Sequence, residues 1–236
     1  MRKVAFIPAR IRKRLQYLNG IIACYGKTKY FGIGMNKTGT SSLKVAMRQL
    51  GFRIGNQREA ELMLHDWAKR DFRRLIRYCR SAQFFQDFPF SYPFTFIALD
   101  QAFPGSKFIL TIRDTPDQWV DSRIRFHSMM YGKNGQVPTR EDLKEAFYIY
   151  KGRPLEIQEL NGLEPDVDPY DRELMKERYI SHNRCVKNYF RNRPNDLLVL
   201  NVAEKNAFQE LCRFTGKKSN ETRFPWVNKT MDVRKI

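Results

Sequence analysis

The residues best placed to do chemistry lie in one loop, Gly34-Met-Asn-Lys37-Thr38-Gly39-Thr40-Ser41. It sits between a short β-type run, KYFGIG, and a helix-forming stretch, SSLKVAMRQLG, closed by Gly51 at a C-cap position. A glycine turn between a buried strand and a helix exposes successive backbone N–H groups and the positive helix end, which together bind phosphate. Gly34 and Gly39 have the spacing of the nucleoside-triphosphatase pattern GxxxxGK[ST], but position 40 is Thr and the lysine lies inside the loop. Such a lysine reaches a different part of a phosphate chain, and no lysine with a magnesium-binding hydroxyl behind it follows Gly39, where that pattern places the pair.

The order KTGTS resembles the sulfotransferases, whose 5′-phosphosulfate loop has a lysine, a small residue, a glycine and two hydroxyl residues at a helix start. The resemblance implies the donor 3′-phosphoadenosine 5′-phosphosulfate, leaving as adenosine 3′,5′-bisphosphate, and chemistry without a metal. It further implies that Lys37 contacts the sulfuryl-bridging oxygen, and that Thr38, Gly39, Thr40 and Ser41 hold the 5′-phosphate. A second family element, a strand-ending arginine and a serine about eight residues on that share the 3′-phosphate, has its counterpart in FILTIRDTPDQWVDS as Arg113 and Ser122. A strict eight lands on Asp121, whose charge would repel phosphate, so Thr115 is expected to lengthen the turn by one residue. The bland alternatives are a salt bridge of Arg113 with Asp114 or Asp117, and a solvated helix face for Ser122. The resemblance runs over roughly Tyr30–Thr230, including FPGSKFILTIRD and RPNDLLVLNV…LCRFTG…FPWVNK, and is similar to the bacterial carbohydrate-type sulfotransferases.

Sulfuryl transfer is an in-line displacement that needs charge stabilised on the leaving oxygen and a proton taken from the acceptor. Lys37 suits the first task. For the second, Asp87, at the end of AQFFQD among Phe84, Phe85, Phe88 and Phe90, is the first candidate, since apolar surroundings raise a carboxylate's pKa. Its other reading is a turn cap or the partner of a nearby arginine. His127, on the helix that carries Ser122, is the rival, because imidazole titrates near neutrality. His65 and His182 fall in helical segments and read as structural or solvent-facing, and Lys217-Lys218-Ser219 reads as a solvated charge run.

The elements that must position these groups alternate in type. Strands are expected at KYFGIG, at Ala82–Asp87, at Lys107–Asp114 and at Asp196–Val202, the last two nearly continuous in apolar residues, as strands buried on both faces should be. Helices are expected at Arg10–Leu18, Arg58–Lys69, Asp71–Arg80, Tyr92–Phe103, Pro116–Tyr131, Arg172–Arg191 and Ala203–Gly216. The pattern predicts an α/β fold, a parallel sheet flanked by helices, of the P-loop nucleotide-binding type, with its ligand at the strand C-terminal ends. Residues 132–170, rich in Gly, Pro and charge, read as an irregular excursion with one helix, a candidate acceptor-binding cap.

At 236 residues and 42% hydrophobic the chain is expected to form one sulfotransferase domain, 29–236, behind a basic arm, 1–28. Net charge is +18, and residues 1–58 hold 13 Lys or Arg before the first acid, Glu59. Such a front end suits a nucleotide, an acidic glycan or an anionic membrane surface; nucleic acid is not the expected partner, because the aromatics sit in core-like runs. The expected partner is a hydroxyl-bearing acceptor, an anionic glycan being one choice, with weak membrane-surface contact by the arm. Cys24, Cys79, Cys185 and Cys212 are far apart and read as reduced thiols, with no metal-ligand spacing. No apolar run reaches signal-peptide or membrane-span length, so the expectation is a soluble cytoplasmic protein, at most associated with a membrane.

Overall fold

The computed structural model describes residues 8–221 and 223–225. The first seven residues of the basic arm and the WVNK of the closing pattern lie outside the described residues. The chain runs through α1 (Ala9–Ala23), β1 (Tyr30–Gly32), α2 (Thr40–Gln49), α3 (Gln57–Glu61), α4 (Leu64–Ala68), α5 (Arg73–Tyr78) and β2 (Phe84–Gln86). It continues through α6 (Thr95–Ala102), β3 (Lys107–Thr111), α7 (Pro116–Tyr131), α8 (Arg140–Glu145), β4 (Phe147–Tyr148), β5 (Tyr150–Lys151) and α9 (Arg153–Leu160). Then come α10 (Arg172–Tyr189), β6 (Leu197–Leu200) and α11 (Ala207–Thr215).

Four strands form one all-parallel sheet in the order β2-β1-β3-β6, with Tyr30 opposite Phe84 and Lys107, and Phe108 opposite Leu197. The strand period of two sends Phe31, Phe85, Phe108 and Leu110 to one face, against Leu75, Phe96, Leu99 and Phe190. Tyr30, Phe84, Ile109 and Leu200 go to the other, against Leu43 and Met47 of α2 and Phe208 and Leu211 of α11. A one-residue slip would exchange both sets at once, and each large apolar side chain contributes roughly 1.5–3 kcal/mol when buried, so the register is firmly held. This is the α/β architecture expected from the alternation.

Chain order and sheet order part company beside β1. The chain goes from β1 to β2 on one side and returns to β3 on the other, so the strand order reverses between β1 and β3. In open parallel sheets a crevice forms at such a reversal, outside the strand C-terminal ends.

Three expectations need correction. The helix expected over Arg58–Lys69 is two, α3 and α4, because Arg153 Nη2 takes the Glu61 carbonyl at 2.7 Å and satisfies it outside a continuous ladder. The helix expected from Tyr92 starts at Thr95, since Pro93 disfavours helical geometry at Tyr92 and Phe94 adopts φ 67°. Residues 132–170 are not an irregular excursion with one helix: they hold α8, the antiparallel β4–β5 hairpin and α9. Thr139 opens α8 with a capping box, its hydroxyl accepting from Asp142 N at 3.2 Å while the Asp142 carboxylate accepts from Thr139 N at 3.0 Å. Leu143 and Leu155 then bury against Trp119, Val120, Met175 and Tyr179, which fastens this segment to α7 and α10.

Candidate active site

The loop after β1 turns twice through left-handed backbone, at Lys37 (φ 69°) and Gly39 (φ 97°). A β-carbon on Gly39 would lie 2.4 Å from Val202 Cγ2, and one on Gly34 would lie 2.1 Å from Thr111 Oγ1 with β3 backbone close behind. The glycines therefore let the loop press onto the ends of β3 and β6. Lys37 has no such excuse, and a left-handed residue with a side chain costs roughly 1–2 kcal/mol. Its neighbours hold it there: its carbonyl accepts from Arg113 Nε at 2.7 Å, and the preceding Asn36 carbonyl accepts from Trp119 Nε1 at 2.9 Å.

Behind the loop, α2 starts at Thr40 with Gly39 as its N-cap and no side-chain cap hydrogen bond. The first turn of a helix presents amide N–H groups and a partial positive charge, and no acid lies in this one. Gly39, Thr40, Ser41 and Ser42 line a cavity of about 820 Å³ that also receives Lys37, Arg113, Ser122, Asp87 and His127. That volume falls in the range of pockets that enclose a nucleotide-sized ligand.

Lys37 has its Nζ 4.0 Å from the Phe126 ring centroid, and burial, with Arg113 beside it, brings its pKa down to about 8 against the pull of Asp87. Arg113 is half-buried at the end of β3. Its amide donates to the Tyr179 hydroxyl at 2.9 Å, and it takes neither bland partner: Asp114 accepts from Asn201 Nδ2 at 2.6 Å, and Asp117 pairs with Lys176 at 2.7 Å. Thr115 is the N-cap of α7, its hydroxyl accepting from Gln118 N at 3.1 Å, and Ser122 reaches the cavity one residue beyond Asp121. Asp121 borders the cavity as well, but Arg172 neutralises it at 2.7 Å.

Thr38 differs from expectation. Its hydroxyl is buried, 2.6 Å from Thr111 Oγ1 and donating to the Met35 carbonyl, so it braces the loop on β3 and does not open into the cavity. Any Thr38 contact to a phosphate is thereby limited to its backbone.

Asp87 follows β2 at φ 63°, with its carboxylate accepting from Phe88 N at 3.1 Å. Burial, and then the nearby Glu61, raise its pKa, opposed by the Phe88 amide, Lys44 and Lys37. Loop, Asp87 and Arg113 thus come from the ends of three neighbouring strands. His127 is buried with Nδ1 2.7 Å from the Tyr170 hydroxyl, and burial, Arg123 and Lys37 push its pKa well below the ordinary value, which keeps it neutral. His182 donates from Nε2 to the Ile33 carbonyl at 2.8 Å and ties α10 to the loop, while exposed His65 faces Glu156 at 3.6 Å.

The far wall holds groups that the sequence did not single out. Glu61 accepts from the Tyr148 hydroxyl at 2.8 Å, and fully buried Arg153 lies 5.3 Å from the Tyr148 ring centroid and 5.7 Å from that of Phe88. Gln158 adds a buried Nε2 without a hydrogen-bond partner among the described residues. On the loop side, Arg123 Nη1 grips Asn36 Oδ1 at 2.9 Å. The run SRIRF shows Arg123 and Arg125 beside Ser122, but which of them faces the loop depends on how α7 docks. A GKT triplet, Gly26-Lys27-Thr28, does exist in the chain, yet it precedes β1 and is exposed, at the wrong end of the strand for a phosphate cradle.

None of the curated proteins matches the chain. A family model described as a sulfotransferase domain matches residues 29–233, a span that leaves α1 outside. It takes in the loop after β1 together with the strand-end groups that face it, and the chain therefore belongs to the sulfotransferase-domain family.

Proposed function

We propose that the protein transfers a sulfuryl group from 3′-phosphoadenosine 5′-phosphosulfate to a hydroxyl acceptor, with a carbohydrate as the favoured class. The observation that carries this reading is the 2.7 Å bond from Arg113 Nε to the Lys37 carbonyl. It locks the lysine that suits one end of a bisphosphorylated nucleotide to the arginine that suits the other, across the crevice between β1 and β3. The donor set fits such a group: a helix N-terminus with no acid in its first turn, a loop lysine, a half-buried arginine with no carboxylate partner among the described residues, and Ser122. Bound there, the cofactor supplies an activated sulfuryl group and a phosphate as the leaving group.

The amides around Gly39, Thr40 and Ser41 would hold the 5′-phosphate, and Arg113 with Ser122 the 3′-phosphate. Lys37, protonated below about pH 8, would neutralise charge that grows on the leaving oxygen as the sulfur–oxygen bond breaks. Asp87 would accept the acceptor's hydroxyl proton as the new oxygen–sulfur bond forms; its raised pKa makes it a stronger base than an exposed carboxylate. His127 is neutral and could accept a proton, but its depressed pKa makes it the weaker base. Tyrosine and phenylalanine faces at Phe88, Tyr92 and Tyr148 offer stacking surface of the kind a sugar ring uses.

The test is transfer of radiolabelled sulfate from this donor across a panel of hydroxyl and amine acceptors, neutral and anionic. Label should appear on a hydroxyl acceptor with wild type and be lost with Asp87→Asn. Phosphate transfer from ATP in its place would contradict the reading.

A further inference from the structure

We infer that α1 is an in-plane anchor that lays the enzyme on an anionic membrane surface. Ile11, Leu15, Leu18 and Ile22 follow one another at spacings of four, three and four, which puts them on one stripe of a helix, and Tyr25 continues it just past the C-terminus. All five are 45% to 86% exposed, in a chain whose other large apolar residues are mostly buried.

The helix is not free to turn that stripe inward. Gly20 lies so close to the domain that a β-carbon there would sit 2.3 Å from the Ser81 carbonyl oxygen. Tyr17 donates to the Arg77 carbonyl at 2.8 Å, Arg53 donates to the Gln16 carbonyl at 3.3 Å, and Cys24 is buried. The docked face and the apolar stripe are opposite sides of the same helix, so the domain itself points the stripe at solvent.

Charge decides what covers it. On a helical projection at about 100° per residue, Arg10 and Arg14 flank the stripe on one side and Arg12 on the other. No acid occurs in α1, or anywhere before Glu59. A second copy meeting this stripe, parallel or antiparallel, would set arginine against arginine with no carboxylate to relieve it. Nucleic acid would use the arginines and leave the apolar stripe in water. An anionic lipid surface uses both, with the apolar side chains among the acyl chains and the arginines at the headgroups. Fifteen residues reach about 22 Å, too short to cross a bilayer, and among the described residues no helix is long and apolar enough to do so. The helix precedes the residues the family model matches, so the anchor is an addition to the sulfotransferase domain.

The full-length protein should sediment with vesicles of phosphatidylcholine containing about one-third phosphatidylserine, and much less with phosphatidylcholine alone. The triple substitution Leu15→Gln, Leu18→Gln, Ile22→Gln, and separately Arg10→Gln, Arg12→Gln, Arg14→Gln, should each weaken that binding at least about tenfold with the melting temperature unchanged. High salt should release the wild type. Equal partition onto neutral and anionic vesicles, or anionic-vesicle binding that survives both triple substitutions, would overturn the proposal. So would a concentration-dependent dimer that the glutamine stripe abolishes, RNA binding in place of vesicle binding, or vesicle binding that appears only once residues 226–236 are removed.

Discussion

On the loop side of the cavity the walls are backbone and strand-end residues, whereas the opposite wall is made of long side chains brought in by α3, the β4–β5 hairpin and α9. The loop side is held by the sheet register: Gly34 packs on Thr111, Gly39 on Val202, and Arg113 on the Lys37 carbonyl. The far wall is held by contacts among side chains, Tyr148 to Glu61 and Arg153 over its aromatic neighbours. On the function proposed above, a site built this way would keep one cofactor while its acceptor side could be rebuilt by changes in the segment after α7. Substitutions on the two sides should accordingly separate in kinetics, those near the loop acting on the chemical step and donor binding, those on the far wall acting on acceptor KM.

The largest effect is expected at Lys37. Lys37→Ala should lower kcat by about 10²–10³ with the melting temperature preserved, because it removes a charge that acts most strongly in the transition state. A proportional loss in bisphosphate affinity with unchanged kcat would place the lysine in ground-state binding only. Asp87→Asn comes next, lowering kcat by about 10²–10⁴ in stopped assays while bisphosphate affinity stays within about twofold. Arg113→Ala should weaken adenosine 3′,5′-bisphosphate by roughly 1.5–3 kcal/mol and leave adenosine 5′-monophosphate almost unchanged, since only the first carries the group it is expected to grip. The smallest is Tyr148→Phe, which removes one bond to Glu61 and should raise acceptor KM by a factor corresponding to about 1 kcal/mol with donor KM constant.

pH should sharpen the same division. A phosphate anion beside Lys37 favours the charged amine, so binding raises its pKa above the free value of about 8. Affinity for the bisphosphate is then complete below pH 8 and declines as pH rises above it, with a proton taken up on binding in that range. Lys37→Arg should flatten this alkaline decline, because arginine stays charged. On the acid side, Asp87 must be ionised to act as a base, so kcat should fall as pH drops through its raised pKa.

The two sides also differ in how readable they are. Strand, glycine loop and helix are contiguous, so KTGTS and its helix could be placed from local order, and KFILT announced a buried strand by its unbroken apolar run. Arg113 and Ser122 come from the resemblance to the sulfotransferases, laid on that strand and on the helix that Pro116 opens, with Thr115 as the cap that offsets the serine. Glu61 and Arg153 carry no such mark, since they meet only through tertiary packing, Arg153 donating to the Glu61 carbonyl where the one expected helix is α3 and α4. The segment 132–170 was legible in part: Thr139-Arg140-Glu141-Asp142 is a capping-box pattern, overshadowed by the Gly and Pro around it. That the Thr38 hydroxyl turns into the fold depends on how the loop packs against β3, which spacing alone does not express.

The claim that joins these observations is that the crevice between β1 and β3 is shaped for a nucleotide phosphorylated at both ends. It is tested most directly by calorimetric titration of the wild-type protein with adenosine 3′,5′-bisphosphate without magnesium, against ATP with magnesium. Bisphosphate should bind at least about 100-fold more tightly than ATP, and Arg113→Ala should cost most of that margin. Tight magnesium-dependent ATP binding with no detectable bisphosphate binding would contradict the account.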